Sequence, residues 1–472
     1  MAIETRRFSS RDLVNIEEGE ISREVFVNDE IYKQELEQIF TRTWLFVGHE
    51  SQVPNPDDYF VSSMGEESVL LTRDKQNNIH VLLNTCRHRG MKVCRYDEGN
   101  VPVFSCPYHG WSYSTDGNLV KVPGQLLGVP HYNDMYQAQL DKQKWGLIQP
   151  PHVVNYKGSI WANWDPDAPS FEEYLGNMKL YLDLLLDHRD GSPGGSEVIG
   201  GVLKWRFPAN WKFSVENFTP DGLHTISHRS VEMVGIGPGG PGQTRAGDQI
   251  SAHRTFDTIY FPEGHGVGVT RVPHMADESD FRAFPEFNAP TGPVDNIEAA
   301  REYYAGLVEK RRKNLAGKTV VGPFSIGSVF PNMTFHSNTW PRSIAVWQPR
   351  GPSMTECWRW LLVDKDAPQE IKDLARHHFM RYSGPAGMTE QDDMENWNYA
   401  TAASRGTIAR RYPYNYQSGL GLQHQDPGLP EALITTGGNS EQNQMRFYLS
   451  WARFMDADSW DDIHNSRPQF WP

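Results

Sequence analysis

Cysteine is scarce in this chain, with only four among 472 residues, at positions 86, 94, 106 and 357. So few thiols argue against a disulfide framework and favour a reducing compartment. Long apolar runs are missing as well, because no stretch approaches the roughly 18 apolar residues of a membrane helix. Residues 1–15 also lack the apolar core of a signal peptide. We therefore expect a cytoplasmic protein without a leader or a membrane span.

Basic residues are outnumbered, with 45 Lys and Arg against 59 Asp and Glu and a net charge of -14. A nucleic-acid partner is not expected, because binding to phosphates needs a basic face. The Gly-rich segment that begins at Gly237 lacks the strand-to-helix context of a dinucleotide site. Aromatic residues are plentiful by contrast, at 12% with 15 Trp, which allows large cores and aromatic-lined pockets.

The fold class expected from the sequence is α+β. Between 44 and 165, short apolar runs alternate with Gly, Asn, Pro and Asp turns, which predicts a small all-β domain. Residues 1–43 are expected to form the N-terminal helical part of a larger domain into which the β domain is inserted. Residues 166–472 complete that larger domain as an antiparallel sheet gripped by helices.

Helical periodicity is found on both sides of the predicted β domain. It covers Glu30–Trp44, after the capping residue Asn28, and returns at Phe171–Leu186. Further helices are expected at Pro368–Tyr382 and Asp392–Ser404. The Gly- and Pro-rich residues 236–244 predict a surface loop.

Two short blocks in the β region each join a thiol and an imidazole, Cys86 with His88 and Cys106 with His109. Each block follows an apolar run, so we expect the four side chains on two loops at strand ends. Two Cys and two His could hold a tetrahedral zinc ion. They could also hold a [2Fe-2S] cluster, with the thiolates on one iron and the imidazoles on the other. The residue types alone leave both alternatives open. Cys94, by contrast, is expected to be a small core residue, as is Cys357.

A second group of potential metal ligands begins at Asp221. If the segment is helical, Asp221, His224 and His228 lie on one face, and the two His could chelate one metal ion. Far downstream, Asp392 and Asp393 stand near the start of a predicted helix, where carboxylates are also favoured by the helix dipole. Two His and one Asp form the facial triad of non-haem Fe(II) oxygenases, which leaves positions open for dioxygen.

In this order, the three segments resemble the large (α) subunit of Rieske non-haem iron aromatic ring-hydroxylating dioxygenases, the group that contains naphthalene and biphenyl dioxygenases. The resemblance covers nearly the whole chain and implies a Rieske [2Fe-2S] cluster and one mononuclear Fe(II). The implied site residues are the cluster ligands Cys86, His88, Cys106 and His109, the iron ligands His224, His228 and Asp393, the bridging carboxylate Asp221, and Asn217 close to the iron. Asp392 fits the ligand position less well than Asp393. Several members have four or five residues between the two His, and this chain has three.

The resemblance also implies an activity and an assembly. The chain would be a terminal oxygenase that inserts both atoms of dioxygen into an aromatic ring and forms a cis-dihydrodiol. Electrons would come from NAD(P)H through a reductase and a ferredoxin. A small β subunit would complete an α3β3 hexamer in which the cluster of one subunit faces the iron of its neighbour. There Asp221 would accept hydrogen bonds from His224 and, across the interface, from His109.

The sequence specifies the substrate less closely than it specifies the metal ligands. The family positions near the iron correspond to Phe218, Gly222, Thr225, Ser383 and Thr389. Small residues at several of them favour a roomy pocket for a polycyclic or biaryl hydrocarbon. An aromatic carboxylate such as a phthalate would need a cation, and Arg342 is expected at the surface rather than in the pocket. The alternatives are an aromatic carboxylate dioxygenase, a Rieske monooxygenase or demethylase and, in a different class, a zinc-stabilised binding protein.

Overall fold

The computed structural model describes residues 8–123, 136–137, 139–233, 256–270, 302–303, 306–307, 310–311, 313–314, 325–337, 342–427, 429–437 and 440–466. Contacts divide the chain into two compact units. One unit consists of residues 41–168, and the other combines residues 1–40 with 169–472. The domain boundaries expected after residues 43 and 165 stay predictions.

The unit of residues 41–168 is built of antiparallel strands, which confirms the predicted all-β region. One sheet has the strand order Ile79–Leu83, Glu67–Arg73, Asp58–Met64, Glu98–Asn100. A second has the order Leu119–Lys121, Ser112–Ser114, Val103–Ser105, and a third His152–Tyr156, Ser159–Asn163, Leu45–His49. The apolar core around Leu70, Leu82, Phe104 and Tyr113 also encloses three thiols, those of Cys86, Cys94 and Cys106. The β core therefore supports the loops that carry the Cys-His blocks.

The other unit has an antiparallel sheet of nine strands within the described residues. The strand order is Ser196–Phe207, Thr355–Asp364, Ser343–Pro349, Met333–His336, Ser325–Val329, Gly266–Thr270, Phe256–Tyr260, Leu429–Thr436, His424–Asp426. A smaller sheet joins Val14–Asn15, Glu20–Ile21 and Tyr414–Asn415. The central strands of the main sheet are buried on both faces, and Leu361 and Val363 pack against Ala375 and Phe379 of a covering helix.

Helices of this unit cover the sheet and close its ends. They span Glu24–Val27, Asp29–Glu35, Phe171–Leu175, Lys179–Leu186, Trp211–Asn217, Arg229–Met233, Gln369–Tyr382, Met388–Ser404, Gln442–Asp456 and Trp460–Asn465. Shorter helical turns occur at Ser10–Asp12, Leu36–Phe40, Gly176–Met178, Leu223–His228 and Ala409–Arg411, and the β unit has two, Glu50–Gln52 and Gln143–Trp145. Among the described residues, no helix is both long and apolar enough to cross a membrane.

The predicted helices are largely present, with different ends. The Asn28 side chain accepts hydrogen bonds from two amides of the first turn, and the following helical segment ends at Phe40, before Trp44. The helix expected over Phe171–Leu186 is broken at Gly176, whose φ of 51° departs from helical geometry. The last predicted helix begins at Met388, earlier than expected. The predicted loop at 236–244 lies outside the described residues.

A buried ion pair anchors the helix Trp211–Asn217. The Lys212 ammonium contacts the Glu35 carboxylate, and neither side chain is exposed. Glu35 also accepts hydrogen bonds from the indole nitrogens of Trp211 at 3.0 Å and Trp451 at 2.8 Å. These bonds satisfy a carboxylate that would otherwise be costly to bury. They fix the helix that ends at Asn217, next to the second group of potential metal ligands.

Candidate metal centres

The two Cys-His blocks form loops with the same backbone pattern. In each, the Cys amide donates to the carbonyl five residues later, Met91 or Trp111, at 2.8 Å. The amide four residues after each Cys belongs to a glycine and donates back to the Cys carbonyl at 2.9 Å. Those glycines have φ values of 72° (Gly90) and 74° (Gly110), which explains why a residue without Cβ stands at each turn. The two Cys-His blocks therefore form loops with the same backbone conformation.

The four predicted cluster ligands are brought together between these loops. Cys86 and Cys106 are buried free thiols in contact with each other. The rings of His88 and His109 lie 4.5 Å apart between centroids, and His88 stacks on Trp111 at 5.1 Å. The Nδ1 atom of His88 is buried without a hydrogen-bond partner. Burial, reinforced by His109 and Arg89, lowers the pKa of His88 and so favours the neutral imidazole that binds metals.

The second constellation converges on one carboxylate oxygen. Oδ1 of Asp393 lies 3.3 Å from Nε2 of His228 and 3.7 Å from Nε2 of His224. The potential ligand atoms of all three residues lie within 4.8 Å of one another. Among the described residues, no group donates a well-aligned hydrogen bond to the buried Oδ1 of Asp393. Two imidazole nitrogens and an unsatisfied carboxylate oxygen around one point fit a divalent transition metal.

The outer nitrogen of each imidazole has its own partner. Nδ1 of His224 donates to the main-chain carbonyl of Asp221 at 2.5 Å, while the Asp221 carboxylate is 3.9 Å away. Nδ1 of His228 lies 3.4 Å from Oδ2 of Asp392, which also accepts a hydrogen bond from Ser230 at 2.9 Å. Such outer contacts fix ring orientation and leave Nε2 for the metal. They make Asp392 a positioning residue, a role that the sequence interpretation missed.

Asp221 precedes the helical turn Leu223–His228 instead of lying on its face, contrary to the spacing argument. Its Oδ1 accepts hydrogen bonds from the amides of Leu223 at 2.7 Å and His224 at 3.2 Å. The expected carboxylate bond to His224 is replaced by the main-chain bond, because the turn places the Asp221 carbonyl closer to the ring.

Asn217 ends the preceding helix, and its Nδ2 lies 3.4 Å from Nε2 of His224.

The electrostatics of this centre favour a cation. Burial alone would lower the pKa of His228, but the carboxylates of Asp393 and Asp392 outweigh it and raise that pKa to about 10. Burial would raise the pKa of Asp393, and the cationic form of His228 outweighs it, so that this pKa is lowered. The raised pKa of His228 reflects the negative charge of two nearby carboxylates, and the lowered pKa of Asp393 keeps its carboxylate ionised, so the site carries the negative charge that a metal cation needs.

Four of the five predicted pocket residues are buried. Phe218 is buried, with its ring centroid 5.0 Å from that of His336 and 5.8 Å from that of Trp347. Gly222, Ser383 and Thr389 are buried, and the Thr389 hydroxyl is turned to the Tyr382 carbonyl. The side chain of Thr225 lies outside the described residues.

Two further residues emerge only from the structure: Arg359 and Glu390 form a buried ion pair, 2.6 Å between Nη1 and Oε1.

The expected surface position of Arg342 is wrong. Its side chain is fully buried, with Nη2 2.8 Å from Oδ1 of Asp364, and Nη1 donates to the Asp187 carbonyl at 2.6 Å. Because Asp364 matches its charge, Arg342 does not offer a cation to an aromatic carboxylate. The same pairing argues against a metal at His188, Asp364 and Asp366, which also lie within 4.8 Å of one another.

Comparison with known proteins identifies the family of each of the two regions that carry these residues. Residues 43–132 match the Rieske [2Fe-2S] domain family. Residues 178–456, more than half of the chain, match the ring hydroxylating alpha subunit catalytic domain. The chain belongs to the ring-hydroxylating alpha subunits. As an aromatic ring-hydroxylating dioxygenase subunit it contains a Rieske [2Fe-2S] cluster and a mononuclear iron, and the zinc alternative is rejected.

Individual relatives extend over nearly the full length. The biphenyl 2,3-dioxygenase subunit alpha of Rhodococcus jostii (strain RHA1) is 36% identical over 467 residues, 97% of this chain and 93% of its own. The benzene 1,2-dioxygenase subunit alpha of Pseudomonas putida is 35% identical, over 95% of this chain and 94% of its own. A naphthalene 1,2-dioxygenase from Rhodococcus sp., crystallised with indole, superposes with a TM-score of 0.77 and 33% identity, over 93% of this chain and 95% of that one. Ring-hydroxylating alpha subunits belong to multicomponent dioxygenases, so this protein works with partner subunits and electron-transfer components.

Proposed function

We propose that this alpha subunit converts an aromatic hydrocarbon, polycyclic or biaryl, to a cis-dihydrodiol. The convergence of His224, His228 and Asp393 on one point is the observation that carries the proposal. The aromatic-hydrocarbon names of the relatives support the substrate class. The burial of Arg342 in an ion pair also favours a hydrocarbon over a carboxylate.

The metal ligands are assigned as follows. Cys86, Cys106, His88 and His109 hold the cluster, and His224, His228 and Asp393 hold the iron. When bound, the cluster delivers electrons and the iron activates dioxygen for insertion of both oxygen atoms into the ring. The unsatisfied Oδ1 of Asp393 and the unsatisfied Nδ1 of His88 support this assignment.

The surrounding side chains have positioning roles. Asp392 holds the outer nitrogen of His228, and the carbonyl of Asp221 holds that of His224. Asn217 borders that side of the iron site, with its Nδ2 3.4 Å from Nε2 of His224. Phe218 offers a flat apolar surface for the substrate ring, since it is buried against His336 and Trp347. Gly222, Thr225, Ser383 and Thr389 are proposed to complete the pocket.

For the assembly we propose an α3β3 hexamer in the cytoplasm, with electrons from NAD(P)H through a reductase and a ferredoxin. The carboxylate of Asp221 is 30% exposed, so it is accessible to a second copy of the chain. We assign it as the bridge to His109 of that copy. Asp221 then has two functions: Oδ1 caps the turn that carries His224, and the remaining oxygen faces the interface.

A substrate-depletion screen tests the proposed function. The purified oxygenase, with ferredoxin and reductase, would be given naphthalene, biphenyl, phthalate and an N-methyl or O-methyl arene in parallel. We expect depletion of the hydrocarbons with cis-dihydrodiol as product. Preferred depletion of phthalate would contradict the hydrocarbon assignment. Release of formaldehyde from the methylated compounds, without dihydrodiol, would indicate a demethylase.

A further inference from the structure

A fully buried arginine, Arg359, lies in the main sheet. Arg359 belongs to the strand Thr355–Asp364 and pairs in register with Ala345 of the neighbouring strand. Its guanidinium carbon is 5.5 Å from the ring centroid of Phe218 and 5.8 Å from that of Trp347. Because Phe218 directly follows Asn217, this places a cation close to the residues proposed to receive the substrate.

The hydrogen bonds of Arg359 are incomplete. Nη1 is 2.6 Å from Oε1 of Glu390 and 3.4 Å from Oγ of Ser383. Within the part of the chain that the structure describes, Nε and Nη2 are buried without an oxygen or nitrogen acceptor, although the Cys357 thiol is near the guanidinium, and Oε2 of Glu390 is buried without a donor. Buried polar atoms in native proteins are nearly always satisfied, so three unsatisfied atoms in one ion pair indicate a missing partner. The pair therefore presents two donors and one acceptor to a ligand.

The ion pair is also close to the metal centre. Glu390 and Asp393 stand three residues apart on the helix Met388–Ser404, and residues at this spacing are neighbours on a helix surface. A ring bound beside the metal ligand Asp393 would bring a substituent within reach of Glu390 and Arg359. The two charges of the pair cancel, so a neutral polar group fits better than an anion, which would add charge beside Asp393.

We propose that Arg359 and Glu390 form a polar clamp that selects aromatic rings carrying a hydroxyl group. The hydroxyl oxygen accepts from Nε or Nη2 of Arg359, and its proton is donated to Oε2 of Glu390. A hydroxyl matches the pair because it is an acceptor and a donor at once. The clamp rests on the proposed function, since it specifies the substrate class of the same site, and it leaves the reaction unchanged.

Ligand binding measured without turnover tests the clamp. The metal-loaded oxygenase would be titrated anaerobically with naphthalene, 1-naphthol and 1-naphthoate. We expect wild-type protein to bind 1-naphthol about 10-fold more tightly than naphthalene, because hydrogen bonds to charged groups contribute at least that much. In Arg359→Met/Glu390→Gln, which removes both charges together, the ratio should fall to about one. Arg359→Lys keeps a cation opposite Glu390 but loses the guanidinium donors, and the ratio should also fall.

The control is a second ion pair touching the same strand. Arg350→Met/Glu356→Gln removes the pair whose nitrogen and oxygen lie 2.7 Å apart near the strand start, and the ratio should stay at the wild-type value. Equal wild-type affinities for naphthalene and 1-naphthol would overturn the clamp, as would a preference that persists in the double variant. Tightest binding of 1-naphthoate would overturn the hydroxyl assignment. Because no turnover is needed, a protein that prefers 1-naphthol but forms no dihydrodiol overturns the proposed function and not the clamp.

Discussion

Asp392 and Asp393 approach opposite edges of the same imidazole ring. Oδ1 of Asp393 is 3.3 Å from Nε2 of His228, and Oδ2 of Asp392 is 3.4 Å from Nδ1. Adjacent residues on one helix thus take different roles, one as the proposed ligand and the other as the residue that orients the ring. Two otherwise similar substitutions should therefore have clearly different effects.

Replacing each carboxylate by its amide separates these roles. Asp393→Asn should lose the mononuclear iron, because the site is left with two His and a weak amide ligand. Asp392→Asn should retain iron with an affinity lowered about 10- to 100-fold, as is typical for outer partners of metal-binding His. Iron content after dialysis against a graded chelator measures both. Equal retention of iron in the two variants would contradict the assignment, and cluster absorbance serves as the internal control.

Asp221 should tolerate an amide structurally but not functionally. Asn keeps the side-chain oxygen that caps Leu223 and His224, while the charge facing the interface is removed. We expect Asp221→Asn to retain both metals and to stop turnover. Metal analysis and single-turnover reduction kinetics check this together. Loss of iron in the variant would show that Asp221 is itself a ligand.

The cluster ligands can be distinguished from a thiol in the same core. Cys106→Ser should abolish the visible absorbance of the cluster and leave the mononuclear iron in place, since the proposed iron ligands belong to the other unit. Cys94→Ala is the matched control, because Cys94 is equally buried but lies outside the two loops. Retained colour in Cys106→Ser, or lost colour in Cys94→Ala, would contradict the ligand set.

The Lys212–Glu35 ion pair should be important for stability. Glu35→Ala leaves a buried, uncompensated ammonium and two unpaired indole nitrogens, so we expect a cost of about 3–5 kcal/mol in the free energy of unfolding. Glu30→Ala removes the partner of Lys33 from a pair that is 58% and 45% exposed, and should cost less than about 1 kcal/mol. Denaturant unfolding followed by tryptophan fluorescence compares them. Equal destabilisation would contradict the structural role of the buried pair.

His265 predicts a pH dependence of stability. Both ring nitrogens are engaged, Nε2 with the Tyr174 carbonyl at 2.8 Å and Nδ1 with the Phe330 amide at 3.0 Å, so the neutral ring is required. Burial lowers the pKa of His265 to about 4, below its value in the unfolded chain. Its contribution is therefore complete above about pH 6.5 and is lost as pH falls towards 4, by roughly 3 kcal/mol. His265→Gln should flatten stability over this window, and an unchanged slope would contradict the assignment.

Potential metal ligands could be predicted from the sequence where they lie close together along the chain. Each Cys-His block is short, and His224 and His228 are four residues apart, so both groups of potential ligands were found from the sequence. Asp393 stands far downstream, and only the family resemblance linked it to them. The break at Gly176 within a predicted helix depends on a backbone conformation that apolar periodicity does not report.

The sequence did not reveal two buried arginines, because their acidic partners are distant in the sequence. Arg342 was expected at the surface, yet Asp364, at the end of the neighbouring strand, pairs with its guanidinium. Arg359 interrupts an apolar strand, and its partner Glu390 stands on a helix that follows later in the chain. Burial raises the pKa of Glu390 to about 7 against the opposing effect of Arg359, so this pair is costly to bury. A buried ion pair that is costly, and whose partners are far apart in the sequence, is typical of sites under functional selection.

The central claim is that both atoms of one dioxygen molecule enter the substrate ring. Turnover under labelled dioxygen, with the hydrocarbon depleted fastest in the screen and with mass spectrometry of the product, tests it most directly. The account predicts a dihydrodiol in which both hydroxyl oxygens carry the label. A product with a single labelled oxygen, or label found only in water, would contradict it.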